Sequence, residues 1–225
     1  VRQIAISGYR SLRAVTMNLE TLNVFVGKNG AGKTNLYRAL QLVQAAAIGT
    51  FSSEIAGEGG MESAFWAGKR VKGQPVRINL SITLSPESAS KTSYTYALEA
   101  GLPPPSSAAF MLEPQIKSET INFFDGKRSR RIMQRNGPHV TAVDAREESH
   151  ELSYALLASE TALSSFDYPG DFPDHDLIRK TLAAWRFYHD LRTDSASPMR
   201  KPALAITSTM LDADGGNLAA VFATL

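Results

Sequence analysis

The residues with the clearest chemical meaning are Gly27-Lys28-Asn29-Gly30-Ala31-Gly32-Lys33-Thr34, followed by Asn35. A glycine, four residues and then Gly-Lys-Thr is the spacing of a phosphate-binding P-loop. Gly27, Gly30 and Gly32 admit backbone conformations closed to other residues, so successive N–H groups can turn inward as an anion nest. A helix beginning near Gly32 adds unpaired N–H groups and the positive end of its dipole. Lys33 is then expected to reach the β- and γ-phosphates, and the Thr34 hydroxyl to be a ligand of Mg2+. The pattern predicts that the chain binds a nucleoside triphosphate.

Such a loop has to be held between a strand and a helix. Leu22-Asn23-Val24-Phe25-Val26 is β-branched and aromatic, which predicts a buried strand ending at Gly27. Beyond Lys33, the apolar residues Leu36, Leu40, Val43 and Ala47 fall on one face of a helix that stops near Gly49. A glycine-rich turn matching by chance would not bring both flanks in that order. Further upstream, Ile4 and Ile6, and then Val15, Met17 and Leu19, alternate with more polar neighbours. They predict two short strands around the turn Gly8-Tyr9-Arg10-Ser11-Leu12.

The bulk properties are those of an ordinary globular protein. The chain has 225 residues, 43% hydrophobic and 20% charged, enough for one large domain or two small ones. A net charge of +2 means that any affinity for nucleic acid must come from a local patch. Without cysteine there are no disulfides or thiolate metal sites, which is compatible with the cytoplasm. No apolar run approaches the ~18 residues of a membrane span, and no signal-peptide core is visible.

After the first 50 residues the chain divides into three stretches. Residues 51–75 read as loop, broken by Gly57-Glu58-Gly59-Gly60, with a helical turn or two over 61–67. Residues 76–145 read as an antiparallel β-subdomain. Val76, Ile78, Leu80, Ile82 and Leu84 alternate strictly with polar residues, and Tyr94, Tyr96 and Leu98 repeat the pattern. Two more strands are expected over 110–116 and 120–124, and the turn dipeptides Asp125-Gly126 and Asn136-Gly137 continue the meander around 130–134 and 139–143. Residues 146–225 are mixed. A helix capped by Asp174 or Asp176 would carry Leu177, Ile178, Thr181, Leu182 and Trp185, and Arg186-Phe187-Tyr188-His189 reads as a strand. A last helix follows Asp212-Ala213-Asp214-Gly215-Gly216-Asn217 and is still in period at Leu225.

The opening resembles a known class. A strand, Tyr9-Arg10-Ser11-Leu12, a second strand and then the loop with Asn29 and Asn35 are similar to the start of RecF/SMC/OLD-like ABC-type ATPases, which are AAA-family P-loop ATPases. The resemblance is tight over residues 1–45 and loose over the rest. It implies an α/β P-loop NTPase head with an antiparallel β-subdomain, all one ATPase domain, binding ATP and Mg2+. It implies hydrolysis of ATP by the complete protein, a homodimer that sandwiches two ATP molecules, and work on DNA in repair, chromosome maintenance or phage defence. Arg10 matches an arginine that lies beside the nucleotide in relatives, which makes it a candidate for a phosphate or base contact, with a surface turn residue as the plain alternative. Relatives also carry an Asp-Glu pair ending an apolar strand and a Ser-x-Gly signature, and neither is present here. Asp125 follows an apolar run but precedes Gly126, as a hairpin turn would, and Leu84-Ser85-Pro86, Leu152-Ser153-Tyr154 and Leu163-Ser164-Ser165 lack the signature's glycine. Among Gln41, Gln44, Gln74, Gln115 and Gln134 the sequence does not single out a Mg2+-sensing glutamine. We read the chain as the N-terminal part of a longer protein, expected to bind ATP alone but scarcely to hydrolyse it.

Two further groups of side chains could bind a partner or a metal. Lys127, Arg128, Arg130, Arg131 and Arg135 concentrate charge on one hairpin, suited to a DNA backbone or, more plainly, to a solvated edge strand. His139, His150, His175 and His189 show no metal-ligand spacing with carboxylates and are assigned packing or surface roles. Two other functions fit parts of the pattern. One is a non-hydrolysing nucleotide-dependent dimerisation or clamp module. The other is a small-molecule P-loop kinase with Arg130, Arg131 and Arg135 as lid arginines, which two strands before the loop and a meander after it disfavour.

Overall fold

A computed structural model describes residues 1–69, 73, 75–86, 91–104, 110–152, 156–165, 170–189 and 191–225. The chain falls into two units, Val1–Ala183 and Ala184–Leu225.

Alternating apolar residues build the first unit around a single eight-stranded antiparallel sheet. Its strands are β1 (Gln3–Tyr9), β2 (Leu12–Asn18), β3 (Ile78–Leu84), β4 (Ser93–Gly101), β5 (Gln115–Phe124), β6 (Ser129–Asn136), β7 (His139–Val143) and β8 (Ser149–Leu152). The spatial order is β2-β1-β3-β4-β5-β6-β7-β8, so the two N-terminal strands join the edge of the predicted β-subdomain. Ile4 and Ile6 of β1 lie opposite Ile82 and Leu80 of β3, and Leu80 and Ile82 lie opposite Leu98 and Tyr96 of β4. All six are buried, and this one apolar face is what fixes the register.

Helix α1 (Lys33–Ile48) lies against β1 and packs with α2 (Phe51–Gly57) and α4 (Pro173–Ala183). Its buried face holds Leu36, Ala39, Leu42, Val43 and Ala45 to Ala47, with Leu40 at its margin. Gly49 ends it at φ 82°, with its N–H bonded to the Ala45 carbonyl. Helix α3 is one short turn, Met61–Ala64.

Several local expectations change. Residues 51–57 are helical because Phe51 and Ile55, four apart, bury one face. The two strands expected over 110–124 are one strand, β5, and Phe110 and Met111 are exposed outside it. The polar strand β8 gave no apolar alternation to read. In α4 the buried residues are His175, Ile178 and Leu182, while Leu177 faces solvent.

In the second unit, residues 186–189 are not a strand, since no ladder partner lies beside them among the described residues. Helix α5 (Leu218–Thr224) begins where expected, and the Asn217 amide ties its start to the Ser208 hydroxyl and the Met210 carbonyl. No described helix is long and apolar enough to cross a membrane.

Candidate functional site

The loop before α1 owes its shape to two glycines. Gly30 and Gly32 take φ of 80° and 97°, left-handed values that favour glycine, whereas Gly27 needs no such conformation. Gly32 is also pressed against the Tyr9–Leu12 turn: a Cβ there would meet the Ser11 hydroxyl oxygen at 2.9 Å. The Lys33 ammonium bends back over its own loop and donates to the carbonyls of Gly27 (2.6 Å) and Lys28 (2.9 Å). Helix α1 has no side-chain cap at its start and no acid in its first turn. A helix N-terminus left uncapped, with an ammonium beside it and no carboxylate to compete, suits an anion. Residues 27–30, Ala31, Lys33 and Thr34 are all exposed, and Asn35 is half-buried.

The expected buried strand before the loop is corrected by the structure. Residues 22–26 pair with no strand among the described residues, and Leu22, Val24 and Val26 are 82%, 77% and 88% exposed. Their composition suits a strand, but composition alone does not provide the ladder neighbour that makes one. At the head of the segment the side chain of Asn23 bonds with the backbone of Glu20.

The Tyr9–Leu12 turn is built into the site from both sides. The Asn35 amide on α1 donates to the Ser11 hydroxyl at 2.7 Å. Arg10 sits at φ 46°, a strained value for a residue with a side chain, and backbone bonds on both sides hold it there. Its N–H donates to Ala64 O (2.9 Å), its carbonyl accepts from Ala67 N (2.8 Å), and Trp66 N bonds to Gly8 O (2.8 Å).

The side chains of this turn converge on Glu58. Its carboxylate accepts from Tyr9 Oη at 2.7 and 2.8 Å and from Arg10 Nε and Nη2 at 2.9 Å each, and Arg38 Nη1 of α1 stands 3.7 Å away. Burial, reinforced by Glu58, pushes the Tyr9 phenol well above its usual range. Burial opposes the charge on Arg10, but Glu58 outweighs it and raises Arg10 above its ordinary value. In the sequence Glu58 reads only as part of a glycine-rich breaker. The available signal was an acid flanked by glycines on both sides.

The basic hairpin separates into two populations. Arg135 is a correction: it is fully buried and donates to the carbonyls of Gly137, Leu157 and Glu160, so it is open neither to DNA nor to a kinase substrate. Lys127, Arg128, Arg130 and Arg131 stay on the surface. Arg130 pairs with Glu147 at 2.7 Å and covers the Phe123 ring, and Arg131 bonds to Gln134. Asp125 is a turn residue, its Oδ1 accepting from the N–H groups of Lys127 and Arg128.

Three of the candidate glutamines have partners. Gln44 bonds to Ala183 O, Gln115 to Lys117 and Gln134 to Arg131. Gln41 is half-buried on α1, and Gln74, Ser153 and Tyr154 lie outside the described residues. One grouping was not foreseen from spacing: ligand atoms of Asp144, Glu148 and His150 lie within 4.8 Å of one another. Asp144 is already committed there, to the N–H groups of Arg146 and Glu148 and to His150, which closes the β7–β8 turn.

Residues 1–99 match the family model of the AAA ATPase domain. No curated protein matches the chain. A solved structure from work on ATP-driven dimerization and DNA-stimulated activation of SMC ATPases aligns at 14% identity and a TM-score of 0.36, over 57% of this chain and 70% of that one. That likeness is too slight to bear on the site. The matched residues contain the loop, α1, the Tyr9–Leu12 turn and Glu58, so the likeness to the AAA ATPase domain spans the whole candidate site.

Proposed function

We propose that the chain is the ATP-binding part of a RecF/SMC/OLD-like ATPase head whose complete protein hydrolyses ATP and acts on DNA in the cytoplasm. The observation that carries this is the loop itself, an uncapped helix start with Lys33 folded across its carbonyls and Ser11 packed on Gly32. In this reading the N–H groups from Gly27 to Thr34 cradle the phosphates, and Lys33 exchanges two backbone carbonyls for phosphate oxygens. Asn29 and Asn35 shape the two ends of the cradle, and Arg10 contacts phosphate or base. Bound Mg2+ would add positive charge at the phosphates, with Thr34 as its ligand from this chain. Two heads would close on two ATP molecules as a homodimer, and Lys127, Arg128, Arg130 and Arg131 would meet DNA.

Binding and turnover are separable here. Asp125, the nearest sequence match to a water-activating acid, is engaged in a turn. This favours a chain that holds MgATP and scarcely hydrolyses it, and it keeps the non-hydrolysing clamp as a second reading. Titration with a fluorescent ATP analogue tests the first half: Lys33→Ala should lose ~3 kcal/mol of binding, a factor of ~100. Its fold should persist, because Lys33 is exposed. Unchanged affinity would sink the assignment of the loop. Phosphate release tests the second half. Brisk turnover by the 225-residue chain would contradict the proposal, and turnover gained only in a longer protein would set aside the clamp.

A further inference from the structure

Glu58 stands where an acid is electrostatically misplaced. It follows directly on the C-terminus of α2, the negative end of that helix, where a carboxylate is disfavoured. Its side chain is only 7% exposed, so it is not there for solvation. Its environment consists of donors: the Tyr9 hydroxyl, the Nε edge of Arg10 and, at longer range, Arg38. Two arginines against one carboxylate leave a net positive charge, and Arg10 and Arg38 keep 29% and 42% of their side chains in solvent.

These groups sit on the same framework as the phosphate loop. Arg38 lies on α1 three residues beyond Asn35, and Asn35 bonds to Ser11, the neighbour of Arg10. The strained backbone at Arg10 is held by Ala64 and Ala67, so the arginine's root is fixed as well as its head. Gripping a guanidinium by its Nε edge fixes the plane of the group and leaves Nη1 on the opposite edge.

We infer that Glu58 is a positioning residue for nucleotide binding, fixing Arg10 as a cation beside the P-loop. The inference rests on the reading of that loop as a nucleotide site. Glu58 acts through Arg10 and does not itself meet the nucleotide, whose charge it would repel.

The test is a double-mutant cycle on the 225-residue protein, with a fluorescent ATP analogue as probe and thermal melting to confirm folding. Arg10→Ala and Glu58→Gln should each weaken binding about tenfold, and the double variant should be no weaker than Arg10→Ala. A purely structural Glu58 would lower the melting temperature without this coupling. Arg10→Lys, made with Glu58 intact, covers the case in which Glu58→Gln does not fold. It keeps the charge but loses the Nε grip, and should bind nearly as weakly as Arg10→Ala. Wild-type or tighter binding by Glu58→Gln, additive losses in the cycle, or wild-type binding by Arg10→Lys would each overturn the inference. Lys33→Ala, run alongside, separates the two ideas. If Lys33→Ala loses affinity while Glu58→Gln does not, only the role of Glu58 falls; if Lys33→Ala binds as wild type, the loop reading falls and takes this role with it.

Discussion

The first unit contains the same chemical trio twice, a glutamate bonded by a tyrosine hydroxyl with an arginine beside it. In one, Tyr96 donates to Glu119 at 2.9 Å and Arg135 stands 3.9 Å away, with Glu119 and Arg135 both 0% exposed. Glu119 also accepts from Ala162 N and Leu163 N, and Arg135 binds three carbonyls. Those bonds tie β4, β5 and β6 to the chain over 157–163. In the other, Tyr9 and Arg10 meet Glu58 and the arginine stays partly in water. A sealed trio commits its bonding capacity to the fold. An open one keeps a cation within reach of something else. Burial, more than residue type, separates a charge committed to the fold from one left within reach of a partner.

The sharpest way to break this contrast is to remove each arginine. Arg135→Ala should cost about 3–5 kcal/mol of stability, because it strands Glu119 and three carbonyls in the interior. Arg10→Ala should cost less, about 1–2 kcal/mol, because Arg10 is partly in water and Tyr9 and Arg38 still face Glu58. Urea denaturation midpoints decide it, and equal losses would erase the distinction.

A smaller effect should appear in the pH dependence. Burial raises the Glu119 carboxyl above its ordinary 4.5, and the bonds from Leu163, Ala162, Tyr96 and Arg135 only partly offset it. The folded state therefore holds this proton more tightly than the unfolded one. Its contribution is fully present below 4.5 and is lost as pH rises through the raised value. Glu119→Gln removes that downward slope, which can reach ~1.4 kcal/mol per pH unit. The variant's stability should decline less, or climb more, from pH 4.5 upward in urea midpoints measured across pH. Parallel curves would show that the folded and unfolded states hold this proton equally.

The smallest effect concerns cations that are neither sealed nor gripped by a buried acid. If Arg128, Arg130 and Arg131 touch a DNA backbone, neutralising them should flatten the salt dependence of binding by ~0.9 log units per log salt for each duplex phosphate they no longer meet. An unaltered slope would return the hairpin to the role of a solvated edge.

Short-range patterns in the sequence were legible. The glycine spacing located the loop, the apolar period located α1, and strict alternation located β3 and β4. Pairings between distant residues were not. Glu58 lies 48 residues from Arg10, and nothing in a run of glycines says which cation it serves. Arg135 looked like Arg130 and Arg131 because charge in a strand does not reveal which face is buried. Here the bulge between Ile121 and Asn122 shifts the pairing of β5 with β6. Residues 22–26 were misread for the converse reason, that a strand-like composition needs a neighbour to become a strand.

That exposed stretch has a consequence for the timescale on which the backbone opens. The amides of β4 are enclosed by β3 on one side and β5 on the other, so they exchange with solvent only when the sheet itself separates. The amides of Val24, Phe25 and Val26 have no ladder to break, and in heavy water they should be replaced among the first in the chain. The apolar run leading into the glycine loop is thus one of the least restrained pieces among the described residues, while α1, immediately after the loop, is among the most firmly packed of them.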